Sequence, residues 1–175
     1  MNNNSSNKTG ISFWTKDEYA RKYFTRRKIR HQRCIGVTTD MLEEIKDVVN
    51  LIAMGGTTVR AYVSAVIADH LQEYKFLHEY MRRAMYNKIL VGDLEKYQPS
   101  YEKYDAEYLQ PSTESRNEAW VHLDADCADA LKQIVAWTGN GVTIGSLAEA
   151  IIKAHFAKNK ELLESMKSDV FNCQP

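Results

Sequence analysis

Long apolar runs are missing from this chain. No stretch of its 175 residues approaches the ~20 needed to cross a bilayer, so no membrane segment is expected. The opening Met-Asn-Asn-Asn-Ser-Ser is polar, and no secretory signal is read there. Cysteine is scarce: Cys34, Cys127 and Cys173 are an odd number without paired spacing. That argues against a disulfide framework and fits reduced thiols in a cytoplasmic protein. His31, His70, His78, His122 and His155 share no metal-ligand spacing with the cysteines, and no motif pairs a nucleophile with a base. No enzyme activity, metal or other cofactor is therefore expected.

Net charge is also absent, with 23 basic residues against 23 acidic ones. The balance conceals an asymmetry. Residues 1–33 hold nine Lys or Arg against two acids, a net of +7, which leaves −7 for residues 34–175. A basic arm joined to an acidic body points to a polyanionic partner, although a solvated, solubilising tail is the plainer alternative.

What the chain does have is a repeat. Residues Trp120–Met166 copy Cys34–Met81. At an offset of 86, Ile35 falls on Val121, Val37 on Leu123, Asp40 on Asp126, Ile45 on Leu131 and Val48 on Ile134. At an offset of 85, Gly56 falls on Gly141, Thr58 on Thr143, Ala65 on Ala150, Ile67 on Ile152, His70 on His155 and Met81 on Met166. The slip of one residue is assigned to the glycine turn, where an insertion costs least. The paired His70 and His155 suggest a shared packing role.

In order, the chain divides into a basic arm (1–33, partly disordered), a first unit (34–91), a tyrosine-rich linker (92–119), a second unit (120–168) and a tail (169–175) not expected to be ordered. Thr15 and Glu18 have capping-box spacing ahead of a helix running to about Ile29, with Tyr19, Tyr23 and Phe24 as its apolar stripe. Cys34–Thr38 alternates as a strand, with Ile35 and Val37 on one face. A helix of about 14 residues follows, ended by Gly55-Gly56, and Thr58 caps a longer helix running to about Leu90. In the linker Pro99 and Pro111 bracket a segment with Tyr97, Tyr101, Tyr104 and Tyr108 at helical spacing, read as packing. Trp120–Leu123 is the second strand, Asp124 caps one helix, and Thr143 caps the last.

A strand of four or five residues needs a partner for its amides and carbonyls. Two such strands, each leading into the same helix pair, are expected to pair antiparallel, with Ile35, Val37, Val121 and Leu123 beneath the helices. The fold expected is mainly α with one short two-stranded ribbon. The alternating strand, the Thr or Asp cap and the Gly-x-Thr lead into the second helix resemble the ribbon-helix-helix superfamily of Arc- and MetJ-like DNA-binding proteins. The resemblance covers about 95 residues and implies two such units in one chain, a covalent pseudo-dimer that acts as a monomer or pairs as a homodimer. The tandem, with its basic arm and tyrosine-rich middle, also resembles an uncharacterised family carried on bacterial conjugative transposons.

The ribbon-helix-helix resemblance implies binding to double-stranded DNA: outward ribbon side chains read base edges and helix amino ends hold phosphates. Carried across, the base-facing positions are Gln32, Cys34, Gly36, Trp120 and His122, of which only Gln32 is a usual reader. The backbone contacts are Thr57, Thr58 and Thr143 (beside Val142), joined by Arg21, Lys22, Arg26, Arg27, Lys28, Arg30 and Arg33 of the arm. The expected role is an accessory or regulatory factor of a mobile element. A protein-interaction module serving a relaxase or other mobilisation protein is the alternative.

Overall fold

The computed structural model describes residues 14–25, 29, 31–54, 56–86, 92–111, 118–138 and 141–172. The expectations for Gly55 and for helix at 87–90 lie outside these residues, as do residues 1–13 of the arm and 112–117 of the linker.

The elements run α1 (Lys16–Tyr23), β1 (Gln32–Thr38), α2 (Thr39–Asp47) extended by a π-turn (Val48–Ile52), α3 (Val59–Glu73), α4 (Lys75–Met85), α5 (Asp93–Tyr108), β2 (Glu118–Asp124), α6 (Ala125–Thr138), α7 (Ile144–Lys158) and α8 (Lys160–Asn172). Among the described residues the protein is mainly helical around one two-stranded antiparallel sheet. Both strands are longer than the alternation alone indicates, because polar residues at their ends still find ladder partners.

The register decides how the halves meet. Ile35 pairs with Val121, Cys34 with His122 and Gly36 with Trp120. Ile35 and Val121 are also equivalent in the repeat, so the pairing is symmetric about that central pair. Ile35, Val37, Val121 and Leu123 are buried, as their alternation requires.

Packing follows the same exchange. Helix α3 lies on β2 and α7 on β1, while α4 packs on α6 and α8 on the π-turn ending α2. Each half therefore covers the other's strand. Two hydrogen bonds fasten the arrangement. The Thr38 amide donates to the Glu149 carboxylate of α7, and the Asp124 amide donates to Ser64 Oγ of α3 at 2.9 Å. Thr38 and Asp124 are 86 apart and Ser64 and Glu149 are 85 apart, so the two anchors occupy equivalent places. Glu149 is only 6% exposed, which makes the bond it accepts hard to replace with water.

Several local features differ from the sequence reading. Helix α1 stops at Tyr23, short of Ile29, because Tyr19, Tyr23 and Phe24 are buried against the body and the chain must turn there to begin β1. The one-residue slip is absorbed inside the helix, where the Ala53 amide reaches back five residues to Val48 O. A π-turn holds one more residue per ring than an α-turn, so the extra residue of the first copy needs no room in the glycine turn. The left-handed position after this helix belongs to Met54 (φ 47°). Gly56 is required for a different reason: a Cβ there would stand 2.9 Å from Ala53 O.

The long second helices are broken at Tyr74 and Asn159, which are equivalent at an offset of 85. Both keep an amide bond to the histidine four residues back, His70 and His155 respectively. A straight helix would carry Leu77, Tyr80 and Met81 past the body, whereas the break lets α4 lie on α6 and α5. The segment after Ser168, expected as a loose tail, continues α8 to Asn172. In the linker, α5 begins at Asp93 with Pro99 in its first two turns, and it buries Tyr104 and Tyr108.

Candidate nucleic-acid interface

The pleat places Gln32, Cys34 and Gly36 of β1 on one outer face with Trp120 and His122 of β2. Four of the five are exposed, and Gly36 is half-buried. Trp120 is 62% exposed and stands opposite Gly36, which offers no side chain to cover the indole. Cys34 and His122 are cross-strand neighbours, with Sγ 3.2 Å from Nδ1. Asp124 ends this row and is the N-cap of α6, accepting from the Asp126 amide at 3.0 Å. The described outer row carries no cationic side chain.

Two helix amino ends flank the ribbon in equivalent places. Thr58 Oγ1 accepts from the Ala61 amide at 3.2 Å and Thr143 Oγ1 from the Ser146 amide at 3.0 Å. Ser146 returns a bond, accepting from the Thr143 amide at 2.9 Å, which completes a capping box. Thr57 and Val142, the residues before these caps, are both buried. The Thr57 hydroxyl has no hydrogen-bond partner among the described residues.

Arg60, in the first turn of α3, is a cation near the ribbon that the sequence reading did not single out. Its Nη1 donates to Gln32 Oε1 at 2.5 Å, which ties the start of α3 to the end of β1. Spacing could not have shown this, because Gln32 and Arg60 meet only after the hairpin of α2 and α3 folds back.

The arm is not a free tail where it is described. Tyr19 and Tyr23 are buried, and Tyr19 OH lies 2.8 Å from Tyr62 OH and 2.7 Å from His155 Nε2. Lys22 pairs with Asp69 at 2.5 Å and lies over the Trp14 ring at 4.5 Å. Although burial pushes the Asp69 carboxyl up, hydrogen bonds from Lys22 and Tyr23 hold it below the usual carboxylate range. Arg21 is exposed, its Nε donating to Asp17 O at 3.3 Å. Arg33 is exposed at the end of the ribbon, 4.0 Å from Asp129. Arg26, Arg27, Lys28 and Arg30 lie outside the described residues.

On the far side of α3 and α7 the equivalent histidines have matching partners. His155 meets Tyr19 of α1, while His70 Nε2 lies 2.9 Å from Tyr104 OH of α5, which also takes His78 Nε2 at 2.9 Å. Burial lowers His70 to about 3, with His78 adding repulsion, and lowers His78 to about 4. Burial likewise lowers His155 to about 4, against the opposing pull of Asp69. The rings are neutral packing groups that dock α1 and α5 on the repeated core. Among the described residues no cluster of His, Cys, Asp or Glu could hold a metal ion, and no helix is long and apolar enough to cross a membrane.

A family model described as a protein of unknown function (DUF3408) matches residues 3–88. The match takes in α1, the first strand and the first helices through α4, and stops before α5. The chain is thus similar over this part to a family whose description names no activity. No curated protein and no solved structure matches the chain.

Proposed function

We propose that this chain binds duplex DNA as two ribbon-helix-helix units joined into one pseudo-dimer. The observation that carries the reading is the ribbon's setting. Its outer row is exposed, and a threonine-capped helix begins on either side of it in equivalent places. A two-stranded ribbon fits the major groove, and helix amino ends with free amides favour phosphate oxygens. The symmetric register and the exchanged packing of α3 and α7 support the pseudo-dimer.

Affinity in this reading is mainly electrostatic. Arg21, Arg33 and Arg60 join Arg26, Arg27, Lys28 and Arg30 as phosphate contacts, while Lys22 is already committed to Asp69. Few outward ribbon residues suit base reading, so contacts of Gln32, Trp120 and His122 tune sequence preference and do not dominate binding. The narrower sequence resemblance makes the role that of an accessory or regulatory factor of a mobile element. One observation favours a second reading, a surface for a mobilisation protein: Trp120 is widely exposed on a ribbon face without described cations.

The test is titration of a random duplex pool at several salt concentrations. With about five phosphates neutralised, log affinity falls with log salt at a slope of about −4 to −5. Deleting the arm would remove core residues Tyr19 and Tyr23, so the informative variant replaces Arg21, Arg26, Arg27, Lys28 and Arg30 by Gln. It should stay folded, bind weakly and show a much shallower slope. An unchanged slope refutes the role of the arm. Absence of any binding by the native chain at low salt refutes the DNA reading and favours the protein partner.

A further inference from the structure

The segments that the repeat does not require, α1 and α5, converge with α3 and α7 on a cavity of about 460 Å³. It opens at the ends of α3 and α7 away from their capped starts, well removed from the ribbon. Trp14 and Tyr23 line it from the α1 side, and Tyr74 and Tyr108 from the opposite side, among polar and charged side chains. The Tyr74 and Tyr108 rings pack edge to face at 5.7 Å, and the Tyr23 ring lies 4.7 Å from His155. The volume lies within the range of small-molecule sites, and the position between packed units is where such sites form.

The charges around it are balanced. Asp69 is paired with Lys22, Glu73 lies 3.6 Å from Lys158, and α5 adds Glu107 and Lys103, one of each sign. A polyphosphate or other strong anion would meet three carboxylates, and a simple cation would meet two lysines lining the same cavity. Lys22 shows what the aromatic corner accepts: its ammonium sits over the Trp14 ring at 4.5 Å and against a carboxylate. With Asp69 and Glu73 already paired, a ligand with an aromatic ring and one charge of each sign matches the aromatic walls and the two opposite charges that α5 adds. We propose that the cavity binds an aromatic zwitterion of amino-acid size, its ring among the tyrosines, its ammonium toward Glu107 and its carboxylate toward Lys103. The proposal is independent of DNA binding.

The test titrates the full chain by calorimetry with L-tryptophan and L-phenylalanine. Phenethylamine and 3-phenylpropionate, which each keep the ring and one charge, serve as comparison ligands. Saturable binding with one ligand per chain is expected. The zwitterions should bind about tenfold more tightly than either singly charged ligand, the value of one charge-assisted hydrogen bond. Glu107→Gln with Lys103→Gln, on the exposed surface of α5, should leave circular dichroism unchanged and abolish the tenfold preference. No saturable binding, tighter binding of a singly charged ligand, or a preference unaltered by the paired substitution would each overturn the proposal.

Discussion

Acid should unfold this protein early, and three histidines set where. His70, His78 and His155 are neutral when folded, with values of about 3, 4 and 4 in place of the ordinary 6.5. Unfolding returns them to water, where they take up protons as soon as pH falls below about 6.5. Unfolding is therefore accompanied by proton uptake, and stability is lost as pH falls from about 6.5 toward 4. Each histidine contributes about 1.4 kcal/mol per pH unit over that window, so three together approach 4 kcal/mol per unit. His70 and His78 share the Tyr104 hydroxyl and titrate as a pair, which spreads their steps without changing the total. Against a typical stability of 5–15 kcal/mol, a midpoint between about pH 4 and 5 is expected. Urea unfolding at pH 7, 6 and 5 measures the effect as a fall in midpoint at constant slope with denaturant. His155→Gln should remove one proton from the linkage, and His70→Gln with His78→Gln should remove two. If fewer than one proton is taken up between pH 6 and 5, the neutral histidines do not govern acid stability and the reasoning fails.

Three further outcomes follow from the packing. Val37→Asp or Leu123→Asp buries an unpaired charge beneath the helices and should cost about 4 kcal/mol or more, read as a lowered Tm. Glu149→Ala and Ser64→Ala should each strand a strand-end amide and cost about 1–3 kcal/mol, with Glu149 the larger. Hydrogen exchange should quicken at the Thr38 amide in the first variant and the Asp124 amide in the second. Thr58→Ala removes an N-cap and should cost about 1 kcal/mol, measured by denaturant midpoint.

The ribbon and its caps were legible because each depends on neighbours in sequence. Alternation assigns Ile35, Val37, Val121 and Leu123 to one face, and threonine before an apolar run marks Thr58 and Thr143 as caps. The anchors were not legible singly, since Ser64 and Glu149 look like ordinary mid-helix polar residues. Their equivalence at an offset of 85 was the available signal: a polar residue interrupting an apolar stripe in both copies. The breaks at Tyr74 and Asn159 were hidden for another reason. The apolar pattern continues straight through them, and only the need to lie on α6 or α2 bends the chain. Arg60 beside Gln32 and the docking of Tyr19 on His155 depend wholly on tertiary approach, which periodicity cannot supply. The basic character of residues 1–33 was plain, but α1 also carries core aromatics, so charge alone misjudged how far that segment stands apart from the body.

The exchange of strands and helices between the halves has a kinetic consequence. Ile35 and Val121 are 86 residues apart, and neither strand has another sheet partner among the described residues. The ribbon can close only after most of the chain has been made. Because the two strands are tethered, that closure is unimolecular, and its entropic cost rises only as about (3/2)RT ln n with loop length. Two separate chains would instead meet at a rate set by their concentration. Dilution, which dissolves a dimeric ribbon, therefore has no purchase on this one. In return, the first half must wait for β2 and α7 before Ile35 and Val37 of its own strand are fully covered.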